Sequence, residues 1–214
     1  MSNYEVEQPI LNSPYKEPAE YWQIEAGRPP EIRSGRRQAG YFYRDPKAPV
    51  TSDEHEARGQ WNPLELVNLI RERVRDWQQQ HYTGVTRITL ELLNYWRREG
   101  RQQRLFFAQL EAVETIIFLH EARTDFLQGI DIPVDEISDD RRANGYNAFK
   151  RYACKMATGS GKTTVMGMLA AWSILNKVQN KNDGRFSDVV LVVCPNITIR
   201  NRLQELDPAR GEAS

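Results

Sequence analysis

The chain has 214 residues, 40% hydrophobic and 10% aromatic, enough for a core in at least part of it and for one domain or one domain plus an appendage. Its 29 basic residues balance 29 acidic ones, so whole-chain charge gives no support to nucleic-acid binding, which would have to come from a local patch. Two cysteines, Cys154 and Cys194, form no CxxC pair and fit a reducing cytoplasm rather than a zinc site or disulfide scaffold; no stretch approaches the ~20 apolar residues of a membrane span, and the start MSNYEVEQPILNSPYKEP lacks the basic-then-apolar layout of a signal peptide.

Residues 1–60 hold seven of the eleven prolines: Pro9, Pro14, Pro18, Pro29, Pro30, Pro46 and Pro49. Proline lacks the amide donor and fixes φ, which argues against long helices and central strands. Aromatic residues, among them Tyr21, Trp22, Tyr41, Phe42 and Tyr43, are too many for a disordered tail. The expectation is an irregular arm, partly packed, with a charged loop around 52–59.

Helices follow over 61–103. Asn62 can cap the first and Pro63 suits its first turn; Leu64, Val67, Ile70, Val74 and Trp77 recur at three- and four-residue spacing and make one apolar face. Thr86 can cap a second helix that turns Ile88, Leu92, Leu93 and Trp96 inward. Arg97, Arg98, Arg101 and Arg104 with Gly100 break it. They can be read as a phosphate-binding patch, but Glu99 and nearby carboxylates dilute the charge and favour a solvated loop. A third helix runs from about Phe106 to His120, with Leu110, Val113, Ile117 and His120 on one side. Phe106 and Phe107 read as core, and the three histidines show no metal-ligand spacing.

The pattern then changes. Tyr152–Met156 is a short, mostly apolar run predicted to be a strand before a Gly-rich turn. From Thr163 to about Lys177 a helix is expected, with Val165, Met168, Leu169, Trp172 and Ile174 or Leu175 buried. Val189–Cys194 is a continuous, largely β-branched run, as in a strand buried on both faces, and Pro195 ends it before a helix over Thr198–Leu206. Strand, helix, strand, helix predicts a parallel α/β sheet.

Met156-Ala157-Thr158-Gly159-Ser160-Gly161-Lys162-Thr163 carries the chemistry. Nucleotide phosphates must be met by donors. A Gly-rich turn lets successive backbone N–H groups point inward, and a helix starting at once behind it adds the positive end of its dipole. Lys162 can reach the β- and γ-phosphates, and the Thr163 hydroxyl can serve Mg²⁺. The strict motif asks for Gly at position 156, where this chain has Met156; the cradle is built by Thr158 to Thr163 regardless.

MATGSGKT, the helix behind it and VVLVVCPNITIRNRL resemble the start of the motor in superfamily 2 DEAD/DEAH-box helicases, in particular the restriction subunit of type III restriction-modification systems. RLFFAQLEAVETIIFLHEA resembles the glutamine-bearing helix ahead of the loop in that family. The three segments, in the expected order, cover about Arg104–Leu206; GVTRITLELLNYW is similar to an N-terminal extension of large restriction-helicase homologues. The resemblance implies the fold class: α/β, with an incomplete RecA-like P-loop NTPase domain and its parallel sheet over 104–214, preceded by the arm (1–60) and the helical extension (61–103). It also implies roles. Gln109 would read the adenine edge. Thr158, Gly159, Ser160, Gly161, Lys162, Thr163 and Thr164 would hold ATP, Lys162 being the catalytic lysine and Thr163 the Mg²⁺ contact. Pro195, Asn196, Thr198 and Arg200 would touch a DNA backbone, although Asn196 or Thr198 can equally be a helix cap. The implied partners are double-stranded DNA, a methyltransferase modification subunit and a complementing chain carrying the rest of the motor.

Hydrolysis also needs a carboxylate for the Mg²⁺ shell and another to orient the attacking water. In the family these stand in a DExH or DExD sequence after the segment at Pro195, and no such sequence follows it here. Asp53-Glu54-His55-Glu56 and Asp135-Glu136 precede the loop and read as solvated turns. The expectation is therefore the N-terminal part of an ATP-dependent DNA translocase, truncated before its Walker B motif and able to hold a nucleotide without turning it over. The alternative is a non-catalytic truncated fragment, either vestigial or an interaction module that binds a partner through its N-terminal helices, with at most weak nucleotide binding. A small P-loop kinase fits poorly, because the loop begins past residue 155 and no lid segment follows.

Overall fold

The computed structural model describes residue 6 and residues 8–25, 28–47, 59–193, 201 and 203–207. The chain divides into two compact units, 1–75 and 76–214.

In the first unit, β1 (Glu20–Gln23) pairs antiparallel with β2 (Glu31–Ser34), and β3 (Gly40–Tyr43) with β4 (Gln60–Pro63). The segment expected to be irregular thus carries short strands. Its prolines bracket them: Pro18 precedes β1, Pro29 and Pro30 precede β2, and Pro46 follows β3. Two-stranded pairs have only edge strands, where a missing donor is tolerated. Asn12 pins the first hairpin, its Oδ1 accepting from Ala19 N at 2.9 Å and its Nδ2 donating to Glu20 O at 2.8 Å. Asn62 and Pro63 belong to β4 and do not open a helix; α1 is Glu65–Gln79. The ladder to Gly40 and Tyr41 claims both residues, and Asn68 on the first turns of α1 clasps Ala39 through both amide atoms at 2.8 and 3.1 Å. The apolar face of α1 is buried only toward its end, at Val74 and Trp77, whereas Leu64 and Val67 are exposed.

The second unit is built on α2 (Arg87–Arg97), α3 (Phe107–Glu121) and α5 (Lys162–Gln179), with α4 (Asp139–Ala143) and the short antiparallel pair β5 (Val134–Asp135) and β6 (Phe149–Lys150) between α3 and α5 in the chain. Thr86 caps α2 as expected, its side chain accepting from Thr89 N at 3.1 Å. Leu93 and Trp96 are buried, while Ile88 and Leu92 are half-buried. Helix α3 buries more than one face: Ala112, Val113, Ile117, Phe118 and Leu119 are all inside, and the expected Leu110 and His120 only partly so. A helix apolar around most of its girth belongs in a core.

Two carboxylates lie inside α3. Glu114, 1% exposed, receives Arg97 Nη2 at 2.7 Å, Gln78 Nε2 and the Tyr82 hydroxyl at 3.3 Å. Glu121 accepts from Thr86 N at 2.8 Å, Thr89 Oγ1 at 2.6 Å and Trp172 Nε1 at 2.7 Å. Asn176 Nδ2 donates to Thr89 Oγ1 at 3.0 Å, and Thr86 Oγ1 meets Asn176 Oδ1. Buried polar atoms are stable only when satisfied, so this network sets the position of α5 against α2 and α3. In α5 the buried set is Val165, Met168, Trp172 and Asn176; Leu169 and Ile174 are half-buried and Leu175 is exposed, because Asn176 turns inward to meet Thr89.

The parallel sheet is not found among the described residues, whose three sheets are two-stranded antiparallel pairs. Neither Tyr152–Met156 nor the described part of Val189–Cys194 is a strand. Val189, Leu191 and Val193 are 76, 85 and 83% exposed, against 44 and 39% for Val190 and Val192, so the run is not buried on both faces. β-Branched composition favours an extended backbone, but a ladder needs a partner offering donors and acceptors, and no described segment does so. Of the helix expected over Thr198–Leu206, Asn201 is helical and Leu203–Leu206 form a 3₁₀ turn; 198–200 and 202 lie outside the described residues.

Candidate functional site

The loop leading into α5 curls back on itself. Ser160 N donates to Ala157 O at 3.4 Å, and Ser160 Oγ reaches the same carbonyl at 2.7 Å. Gly159 and Gly161 both adopt the left-handed region, at φ +78° and +80°, which side chains with a Cβ adopt only with strain. Around Gly159 an added Cβ would meet nothing within 4 Å, so the glycine serves backbone conformation and leaves open space on that side.

Gly161 is the N-cap of α5, and no side chain caps the helix there. Val165 N bonds back to Gly161 O at 3.2 Å; helix geometry leaves the N–H groups of Lys162, Thr163 and Thr164 without intrahelical acceptors. The first turn carries no acidic residue, so no carboxylate of its own offsets the positive end of the helix. Lys162 folds its ammonium back into the curl, donating to Ala157 O at 2.8 Å and Met156 O at 3.3 Å. Open glycine backbone, free helix donors and a lysine cation converge at one place, a donor set that fits a phosphate chain.

Gln109 is brought against this loop from α3. It is 6% exposed; its Oε1 accepts from Phe106 N at 2.7 Å, and its Nε2 donates to Gly161 O at 3.5 Å. A Cβ on Gly161 would lie 2.0 Å from Gln109 Nε2 and 3.0 Å from Cδ. Gly161 therefore meets two demands: its φ, and the side chain pressed against it. Sequence reasoning singled out both residues but not their contact; it read Trp172 as core without its polar partners and missed Glu121 and Asn176, and these three residues brace the helix behind the loop. The available signal was Glu114 and Glu121, one heptad apart in a helix that is apolar at most of its other positions.

Other candidates fall elsewhere. Pro195, Asn196, Thr198 and Arg200, and the Asp53–Glu56 cluster, lie outside the described residues. Asp135 is paired with Arg151. The arginines after α2 are largely engaged: Arg97 with Glu114, Arg98 over the Tyr95 ring at 3.9 Å, and Arg101 with Gln103 O at 3.1 Å. Among the described residues, no group of three or more His, Cys, Asp or Glu could hold a metal ion. Burial pushes the Tyr152 phenol up; burial, then the Glu111 carboxylate, pushes the Cys154 thiol up, away from the reactive thiolate.

Mixed helix and strand content with a glycine turn feeding a helix makes this an α/β protein consistent with a partial P-loop NTPase domain. Residues 102–207, just under half of the chain, match the family model for the type III restriction enzyme, res subunit, and this match is consistent with a helicase superfamily 2 region of that kind. No curated protein and no solved structure matches the chain. Among the described residues, no helix is long and apolar enough to cross a membrane.

Proposed function

We propose that the loop Met156–Thr163 holds the phosphates of ATP as part of a helicase-like motor of the type III restriction kind, occupying 104–214 behind an N-terminal arm and helical extension. One observation carries the reading: the left-handed Gly159 and Gly161 and the Lys162 ammonium share one curl at the start of α5. On nucleotide arrival Lys162 would exchange its two carbonyl acceptors for phosphate oxygens, a charge-assisted and stronger pairing. Thr158 to Thr164 would line the phosphates, and the Thr163 hydroxyl would help to hold Mg²⁺. Mg²⁺ supplies charge neutralisation; the chain supplies orientation. Gln109, whose amide now serves Phe106 and Gly161, would turn its outward capacity to an adenine edge. Pro195, Asn196, Thr198 and Arg200 are the proposed DNA-backbone contact, with duplex DNA and a modification subunit as partners, and the cytoplasm as location.

Calorimetric titration with Mg-ATP tests this. Binding to the wild-type chain and at least a tenfold loss in Lys162→Ala are expected, since a hydrogen bond to a charged group contributes roughly 1.5–3 kcal/mol. Equal affinity in the two proteins would refute the cradle. No turnover above background is expected from these 214 residues assayed alone, with or without DNA, because they hold no DExH or DExD sequence behind the Val189–Cys194 run to hold the metal shell and orient water. Turnover abolished by Lys162→Ala would overturn that second statement while leaving the first intact.

The exposed alternate face of Val189, Leu191 and Val193 favours a second reading, an interaction module that docks through this strip. A chain that binds no nucleotide but is fully folded would support it.

A further inference from the structure

The turn that follows α2 gathers positive charge around one ring. Tyr95 is 49% exposed, and the guanidinium carbons of Arg98 and Arg101 lie 3.9 and 5.5 Å from its centroid. Gly100, at φ +75°, turns the chain between the two arginines and so lets both reach the ring. Contact with an aromatic face steadies a guanidinium and leaves its N–H groups available to an acceptor.

No carboxylate answers these two charges. Among the described residues Arg98, which is exposed, makes no hydrogen bond or ion pair, and Arg101 donates only from Nε, to Gln103 O at 3.1 Å. Arg101 Nη1 is buried without a partner, which costs free energy that a turn of the guanidinium toward an acceptor would recover. Glu99 stands between the two in sequence, is exposed and pairs with neither. Arg97 is spent on Glu114, and Arg104 has a partner of its own. The C-terminal end of a helix carries about half a negative charge, too little for two guanidinium groups.

The donors decide which anion fits. A single carboxylate is filled by one guanidinium fork. Two forks and the Tyr95 hydroxyl, itself without a partner among the described residues, suit successive phosphates, which arginine and tyrosine side chains contact without reading bases. We propose that Tyr95, Arg98 and Arg101 form a contact for the phosphate backbone of duplex DNA. It is the local patch that a chain of balanced charge requires. The proposal takes its ligand from the DNA reading above and does not depend on the loop at Lys162.

Fluorescence anisotropy of labelled duplexes of about 20 base pairs, with the full chain and without nucleotide, tests the proposal. Two duplexes of unrelated sequence should bind alike. Arg98→Ala, at an exposed position with no hydrogen bond to lose, should weaken binding about five- to tenfold near 0.1 M salt and lower the slope of log K on log salt by about 0.9. Adding Arg101→Ala should lower the slope by about as much again. Tyr95→Phe should weaken binding with the slope unchanged, because the hydroxyl carries no charge, and Lys162→Ala should leave both unchanged. An unaltered slope in the Arg98→Ala, Arg101→Ala double variant would overturn the proposal. If Arg200→Ala lowers it in that case, the DNA reading stands and only this patch fails. A chain that binds no duplex, or that ignores it and captures polyglutamate instead, would also overturn the proposal.

Discussion

Replacing Gly161 by alanine should destabilise the chain through two separable effects. The first is backbone conformation: at φ +80° a residue with a Cβ loses about 1–2 kcal/mol relative to glycine. The second is the approach of Gln109, whose Nε2 would stand 2.0 Å from the new Cβ. That amide sits at the end of a flexible side chain, so it can move, but it is 6% exposed and its Oε1 holds Phe106 N at 2.7 Å. Moving it breaks this bond at the start of α3, and a lost cap of this kind costs about 1 kcal/mol. Gly161→Ala should therefore cost about 2–3 kcal/mol in all. Gln109→Ala alone removes the cap and should cost about 1 kcal/mol. In the double variant the second effect has already been incurred, so the two costs should fall short of additivity by about 1 kcal/mol. Urea unfolding followed by circular dichroism measures all four corners of the cycle. Additivity within about 0.3 kcal/mol would refute the contact between the two residues.

Two further outcomes follow from the second unit. Arg97→Ala leaves Glu114 buried with only Gln78 and Tyr82 as donors; breaking a buried pair costs ~3–5 kcal/mol, but Arg97 is itself 39% exposed and partly screened, so a loss of about 2 kcal/mol is expected, and a midpoint shift under 0.5 kcal/mol in the same assay would argue against the pair. Burial, then the Glu114 carboxylate, pushes the Tyr82 phenol up to about 12. A raised phenol keeps its proton longer in the folded chain than in the unfolded one, so its stabilising effect is complete below pH 10 and is lost as pH rises from about 10 to 12. Tyr82→Phe should flatten that alkaline fall; an unchanged pH profile of the midpoint would contradict it.

The legible parts of the fold were those written in local chemistry. Thr86 as a cap and the Gly159–Lys162 turn depend on neighbours within a few residues, and both lie where the spacing puts them. Residues 102–207 carry enough of the family pattern to match it. What could not be read was set by distant partners. Asn62 has the right chemistry for a helix cap, yet the ladder to β3 takes it, because strand pairing is decided across an intervening stretch of chain. Val189–Val193 has strand composition, but composition does not supply a neighbouring strand. The amphipathic pattern of α5 pointed to Ile174 or Leu175 as core; Ile174 is only half-buried and Leu175 exposed, whereas Asn176 goes inside, held by Thr89 and Thr86 some ninety residues earlier. Gln109 was legible as a functional candidate through its amide, and its place against Gly161 was not, since that contact closes over 52 residues.

The central claim is that the phosphates, not the base, are what this loop holds. Competition titration with adenosine, ATP and inorganic tripolyphosphate in the presence of Mg²⁺ tests it most directly. ATP should bind, tripolyphosphate should displace it, and adenosine should give no measurable heat. Adenosine binding as tightly as ATP, or ATP binding untouched by tripolyphosphate, would contradict the account.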